Sequence, residues 1–235
     1  MPAKPLRYEP PQGALNIIHQ DEDLLVLSKP SGLLSVPGKA PEHADCLETR
    51  AKEKFPESLL VHRLDMDTSG VFVMAMNKKA QANLGKQFER RKIDKTYIAQ
   101  IWGVPDHNEG CIDLPLRCDW ENRPLQMVCY DYGRPAQTDW QVITHEPLSS
   151  LRGGRGADAA IHTQCSRVQL KPLTGRSHQL RVHMAALGHP ILGDRFYAPK
   201  EARDGLDRLY LHAHSLTLHH PKDGARLTFT DPCPF

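Results

Sequence analysis

A chain of 235 residues, 40% hydrophobic and 25% charged, has the composition of a globular protein and can bury a core without disulfide or metal staples. A formal net charge of +2 is too small to point to a nucleic-acid partner by itself. The longest apolar runs, such as Val71-Phe-Val-Met-Ala-Met76, fall far short of a bilayer span, and no apolar leader follows Met1, so a cytoplasmic protein away from membranes is expected.

The first 14 residues are rich in proline and read as an extended, flexible arm. Strands are expected over 15–19 and 24–27, the second running into the turn chemistry of Lys29-Pro-Ser-Gly32. Residues 44–55 read as a helix stopped by Pro56. Apolar strands follow at 59–61 and 71–76, separated by the polar insert His62-Arg-Leu-Asp-Met-Asp-Thr-Ser-Gly70. Asn77 suits the N-cap of a helix to Glu89, with Ala80, Leu84 and Phe88 along one face. Residues 85–95 are locally basic, and Arg152, Arg155, Arg176 and Arg181 add positive charge further on.

Beyond that helix the pattern turns to β, with strands expected over 96–101, 136–143, 161–171, 209–218 and 225–229. A helix interrupts them, starting near Ser177, carrying Leu180, Met184 and Leu187, and ending at Gly188 before Pro190. The Gly/Arg-rich stretch 149–156 reads as a long hairpin loop. Many strands without strict alternation with helices imply an α+β fold, one domain over 15–235, around a mixed or antiparallel sheet. The six cysteines form no C-x-x-C pair and read as small core residues.

The insert at 62–70 needs a reason, because polar residues sit there between two apolar strands. Read alone, Asp65 or Asp67 caps a turn that Thr68 and Ser69 tie down. Its neighbours change the reading. His62-Arg-Leu-Asp65 with Thr68-Ser69-Gly70 resembles the catalytic signature of the RluA family of pseudouridine synthases. Four further stretches resemble the family in order: Lys29-Pro-Ser-Gly-Leu-Leu-Ser-Val-Pro-Gly38, Lys95-Thr-Tyr97, Arg134-Pro-Ala-Gln-Thr138, and Thr174-Gly-Arg-Ser-His-Gln-Leu-Arg-Val-His183 continuing to His189-Pro-Ile-Leu-Gly-Asp194. The similarity is to short members of the family. With some twenty residues ahead of Asp23, no N-terminal domain of the S4 type is expected.

The resemblance implies the pseudouridine synthase catalytic fold, with a central, largely antiparallel mixed sheet, flanking helices and an active-site cleft. It implies isomerisation of a uridine in structured RNA, without cofactor, metal or obligate protein partner. For the short members the substrate is a stem-loop shared between large-subunit rRNA and the anticodon arm of tRNA. Asp65 matches the family's catalytic aspartate. Cleaving a bond to an anomeric carbon suits a carboxylate, whether it attacks the sugar, attacks the base or abstracts a proton. Arg181 matches the arginine that pairs with it, Tyr97 the tyrosine against the target base, and Leu180 the apolar wall. Arg63 matches the arginine filling the gap left by a flipped nucleotide, where a guanidinium plane stacks among bases. His212, His214, His219 and His220 are the rival feature, a candidate metal set without acidic or cysteine partners at ligand spacing. His178 and His183 read as hydrogen-bonding residues near the active-site helix.

Overall fold

The computed structural model describes residues 8–148 and 164–235, so the loop expected at 149–156 lies outside the described residues. In chain order its elements are β1 (Asn16–Gln20), β2 (Leu24–Lys29), α1 (Leu47–Lys54), β3 (Leu59–Leu60), β4 (Ser69–Ala75), α2 (Lys78–Glu89) and β5 (Asp94–Trp102). There follow β6 (Glu109–Asp113), β7 (Leu116–Cys118), β8 (Gln126–Val128), β9 (Gln137–Pro147), β10 (Gln164–Pro172), α3 (Gln179–Ala186), β11 (Leu211–His219) and β12 (Arg226–Thr230). The residues cluster into two compact units, one running through Lys95 and taking up His212–Pro234, the other Thr96–Leu211 with Phe235.

In the first unit β4 is the central strand. β2 pairs with one edge, antiparallel from Leu24↔Ala75 to Lys29↔Gly70. The other edge is shared by β3 at Met74–Ala75 and by β11, which runs parallel through His212↔Ser69 and Ala213↔Gly70. Every residue of β4 is buried, as expected of a strand covered on both faces. The period-2 alternation sorts its side chains. Val71, Val73 and Ala75 join Leu24, Val26 and the α2 residues Ala80 and Leu84 on one face. Phe72 and Met74 join Leu25, Leu27 and the α1 residues Leu47 and Ala51 on the other.

Asn77 caps α2 as its position implies, Oδ1 accepting the Ala80 amide at 2.8 Å. The first helix starts later than the expected Ala44: a short 3-10 turn occupies Pro41–His43, and α1 begins after Cys46, whose sulfur accepts the Thr49 amide. Within the expected arm, Tyr8 is fastened to this unit, its hydroxyl donating to the Asp45 carbonyl and accepting the Leu34 amide.

The second unit is an antiparallel sheet in the order β5-β10-β9-β6, with the separate hairpin β7-β8. Leu180 and Met184 of α3 pack on Ala99, Ile101, Val168 and Leu170 of that sheet. β6, β7 and β8 were not expected, being three to five residues long with little apolar alternation. The fold is α+β with a mixed sheet, largely antiparallel and parallel where β4 meets β11.

Candidate active site

Asp65 lies on the connection between β3 and β4, and that connection is bolted down by the Lys29–Ser35 segment. Lys29 is fully buried, 0% exposed, which leaves its ammonium dependent on protein acceptors. Its Nζ donates to the carbonyls of Met66 and Thr68, both at 2.8 Å, and of Pro30 at 3.0 Å. The Gly32 amide also donates to the Met66 carbonyl, and Ser31 Oγ donates to the Asp67 carbonyl at 2.6 Å. Ser35 Oγ donates to the Leu64 carbonyl and accepts the Leu64 amide. The Asp65 carbonyl accepts the Thr68 amide, closing a tight turn around the carboxylate-bearing residue.

The end of the loop is fixed just as firmly. Gly70 has φ +115°, and a Cβ there would lie 2.2 Å from the Ala213 carbonyl oxygen, so only glycine admits the parallel pairing with β11. Ser69 Oγ shares a 2.9 Å hydrogen bond with His212 Nδ1. At the start, His62 stacks between Phe72 and Phe88 at 4.6 and 4.8 Å, and its Nε2 accepts the Val73 amide. Desolvation and the nearby Lys95 push His62 down to about 3, so the ring is neutral. Lys95 is itself lowered to about 8 by burial and by Arg91. Arg63 is exposed on the same loop.

In the second unit, α3 is held by side chains. Gln179 Oε1 accepts from Thr174 Oγ1 and the Arg176 amide, while Nε2 donates to the Gln137 carbonyl and Thr138 Oγ1. His183 bonds Thr138 Oγ1 through Nδ1 and the Leu114 carbonyl through Nε2. The helix begins at Gln179 and not Ser177, because His178 ahead of it takes a left-handed conformation, φ 51°. Tyr97 and Leu180 come together in one apolar cluster.

Arg181 is 2% exposed and makes a two-pronged ion pair with Asp194, Nε to Oδ2 and Nη2 to Oδ1, both 2.7 Å. Phe196 and Tyr197 lie against its guanidinium at 5.1 and 5.3 Å. The sequence reading missed this partner. Asp194 closes the His189–Asp194 stretch that resembled the family, but nothing local tied it to Arg181.

The histidines near the C-terminus serve the sheet. His212 Nε2 and His214 Nδ1 both bond the Asp231 carbonyl, at 3.0 and 2.9 Å. His220 Nε2 bonds Asp21 Oδ2. No cluster of three or more metal-ligating side chains occurs among the described residues.

The turn that carries the Asp65 carboxylate is thus clamped through its main chain, with the exposed Arg63 two residues before it. Residues 23–186 match the family model described as RNA pseudouridylate synthase. The chain belongs to that family. This pseudouridylate synthase is 52% identical over 229 residues to the dual-specificity RNA pseudouridine synthase RluA of Escherichia coli (strain K12), covering 97% of this chain and 98% of that protein. It is 49% identical over 231 residues to the protein of the same name from Vibrio vulnificus (strain CMCP6), covering 98% and 88%. Among solved structures it is similar to human RNA pseudouridylate synthase domain containing 1, with TM-score 0.78 and 31% identity over 97% of this chain and 87% of that one. Human RNA pseudouridylate synthase domain containing 4 gives TM-score 0.69 and 26% identity over 93% and 88%. The synthase is an isomerase acting on RNA. Among the described residues no helix is long and apolar enough to cross a membrane.

Proposed function

We propose that this pseudouridine synthase modifies two RNA classes, a stem-loop of large-subunit rRNA and the anticodon arm of tRNA. Support comes from 52% identity along almost the whole chain to a relative named for dual specificity. The observation that carries the chemistry is the turn at Asp65, locked by Lys29, Ser31 and Ser35. Asp65 is the catalytic carboxylate. Arg63, Tyr97, Leu180 and Arg181 bind the substrate: Arg63 fills the place of the flipped nucleotide, Tyr97 and Leu180 face its base, and Arg181 pairs with Asp65.

The reaction breaks the N1–C1′ bond, turns the uracil and forms a C5–C1′ bond; the C5 proton leaves and N1 gains one, so composition is unchanged. Neither an external group nor an electron carrier enters that balance. We further propose that residues 15–235 act as one catalytic domain, in the cytoplasm, without metal, cofactor or obligate protein partner. Mapping pseudouridine in total RNA from cells with and without the gene tests the reading. Loss of one rRNA and one tRNA position together is expected. Loss from a single RNA class would overturn the dual assignment, and an unchanged map the whole of it.

A further inference from the structure

We infer that Asp194 is a positioning residue for pseudouridine formation, holding the guanidinium of Arg181 in the one orientation the reaction uses. The inference rests on the role proposed above for Arg181. Its starting point is that the fork is buried at both ends, 2% and 0% exposed for the two side chains. A buried ion pair is a poor device for stability, since apolar residues of similar volume often serve as well or better. What it supplies is direction, because a planar guanidinium gripped at two nitrogens cannot swivel.

The grip is itself immobilised. Besides Arg181 Nη2, Asp194 Oδ1 accepts the amides of Phe196 and Tyr197 at 2.9 and 3.2 Å. The carboxylate is thus fastened to a turn and cannot follow the arginine. That turn is rigid on its own account. Gly193 has φ +73°, and a Cβ there would lie 1.8 Å from the Arg208 carbonyl oxygen. Tyr197, after donating its amide to Asp194, accepts the Gln126 amide of β8 at its hydroxyl and shares a 2.7 Å hydrogen bond with His178 Nδ1. Its ring and that of Phe196 then lie against the guanidinium. One carboxylate therefore sets both the plane of Arg181 and the aromatic walls beside it. The fork engages Nε and Nη2 but not Nη1, so the orientation of the Nη1 edge is dictated by Asp194.

The test measures single-turnover pseudouridine formation, stem-loop affinity and thermal unfolding on the full chain. Its variants are Asp194→Asn, Arg181→Lys, Arg181→Met and the double variant Asp194→Asn with Arg181→Lys. Asparagine keeps one acceptor and turns an N–H toward the guanidinium, so the rate should fall about 100-fold with affinity nearly unchanged. Lysine keeps the charge but cannot form the fork, so Arg181→Lys should fall about as far. Adding Asp194→Asn to it should cost nothing more, the mark of two residues acting as one unit. Wild-type turnover in Asp194→Asn overturns the inference, as does an equal loss in the wild-type and Arg181→Lys backgrounds. Wild-type turnover in Arg181→Met sinks the role of Arg181 itself, whereas a slow Arg181→Met beside a fast Asp194→Asn sinks only the positioning. If Asp194→Asn does not fold, Asp194→Glu carries the test, since it keeps the charge and displaces the fork by one methylene. The same rate loss is expected, and an unchanged rate is fatal.

Discussion

The Asp65 turn and helix α3 are both rigid, and they are made rigid by opposite means. The turn is gripped through its main chain: Lys29, Ser31 and Ser35 take the carbonyls of Leu64, Met66, Asp67 and Thr68. The helix is gripped through its side chains, at Gln179, Arg181 and His183. Main-chain capture fixes where a residue stands without engaging its side chain in the clamp. Side-chain capture commits the side chain itself. Asp65 belongs to the first kind of region and Arg181 to the second, and substitutions should discriminate between them.

The largest expected effect tests the catalytic carboxylate proposed for the turn. Asp65→Asn is nearly isosteric and removes the charge, so pseudouridine formation should drop by more than about 1,000-fold while RNA binding and thermal stability persist. Asp67, whose carbonyl is held by Ser31, should tolerate Asn with most activity retained. The reverse pattern in a stem-loop assay would move the catalytic carboxylate to Asp67.

Next in size is the clamp. Lys29→Met removes a buried ammonium, takes that donor from the Thr68 carbonyl and leaves the Met66 carbonyl with the Gly32 amide, with an expected loss on the order of 3 kcal/mol in denaturant unfolding. A loss below about 1 kcal/mol would mean that the turn stands without its clamp. On the helix side, Gln179→Leu breaks bonds to Thr174, Arg176, Gln137 and Thr138 at one stroke. An apolar side chain of similar size partly offsets them, so about 1–2 kcal/mol is expected. A larger loss than in Lys29→Met would invert the ranking of the two regions.

The smallest effect concerns pH. His62 is lowered from 6.5 to about 3 in the folded chain, so between these values the unfolded chain holds a proton that the folded chain does not. Stability contributed by the neutral ring is fully present above about pH 6.5 and is lost progressively as the pH falls toward 3. The loss between about pH 6.5 and about pH 5 should be on the order of 1 kcal/mol. His62→Gln should flatten that slope; an unchanged slope would assign the acid sensitivity to other groups.

The sequence showed some of this clearly and some not at all. β2, β4 and α2 were legible because short apolar runs bounded by turn residues and an Asn cap are local signals, and Leu24–Lys29 and Lys78–Glu89 fall where those signals place them. The hairpin β7-β8 was invisible, because strands of three residues carry no periodicity. The motif strings singled out the Lys29–Gly38 and Arg134–Thr138 segments without saying why they matter. Their purpose is long-range: Lys29 reaches Thr68, 39 residues away, and Thr138 reaches His183, 45 residues away. No local pattern encodes such a bond. Asp194 escaped for the same reason, being 13 residues from the arginine it holds.

The parallel pairing of Ser69–Gly70 with His212–Ala213 also gives the chain a timetable. Ser69 and the histidine that fastens it are separated by 143 residues. During synthesis, which proceeds from the N-terminus at about 5–20 residues per second, the edge of β4 beside the Asp65 turn stays unpaired until the ribosome has made β11. A nascent chain that meets RNA early therefore carries the motif with the end of its turn still unfastened. A chain that stops before residue 212 lacks the partner of this stretch of β4, so that the strand there presents an unpaired edge.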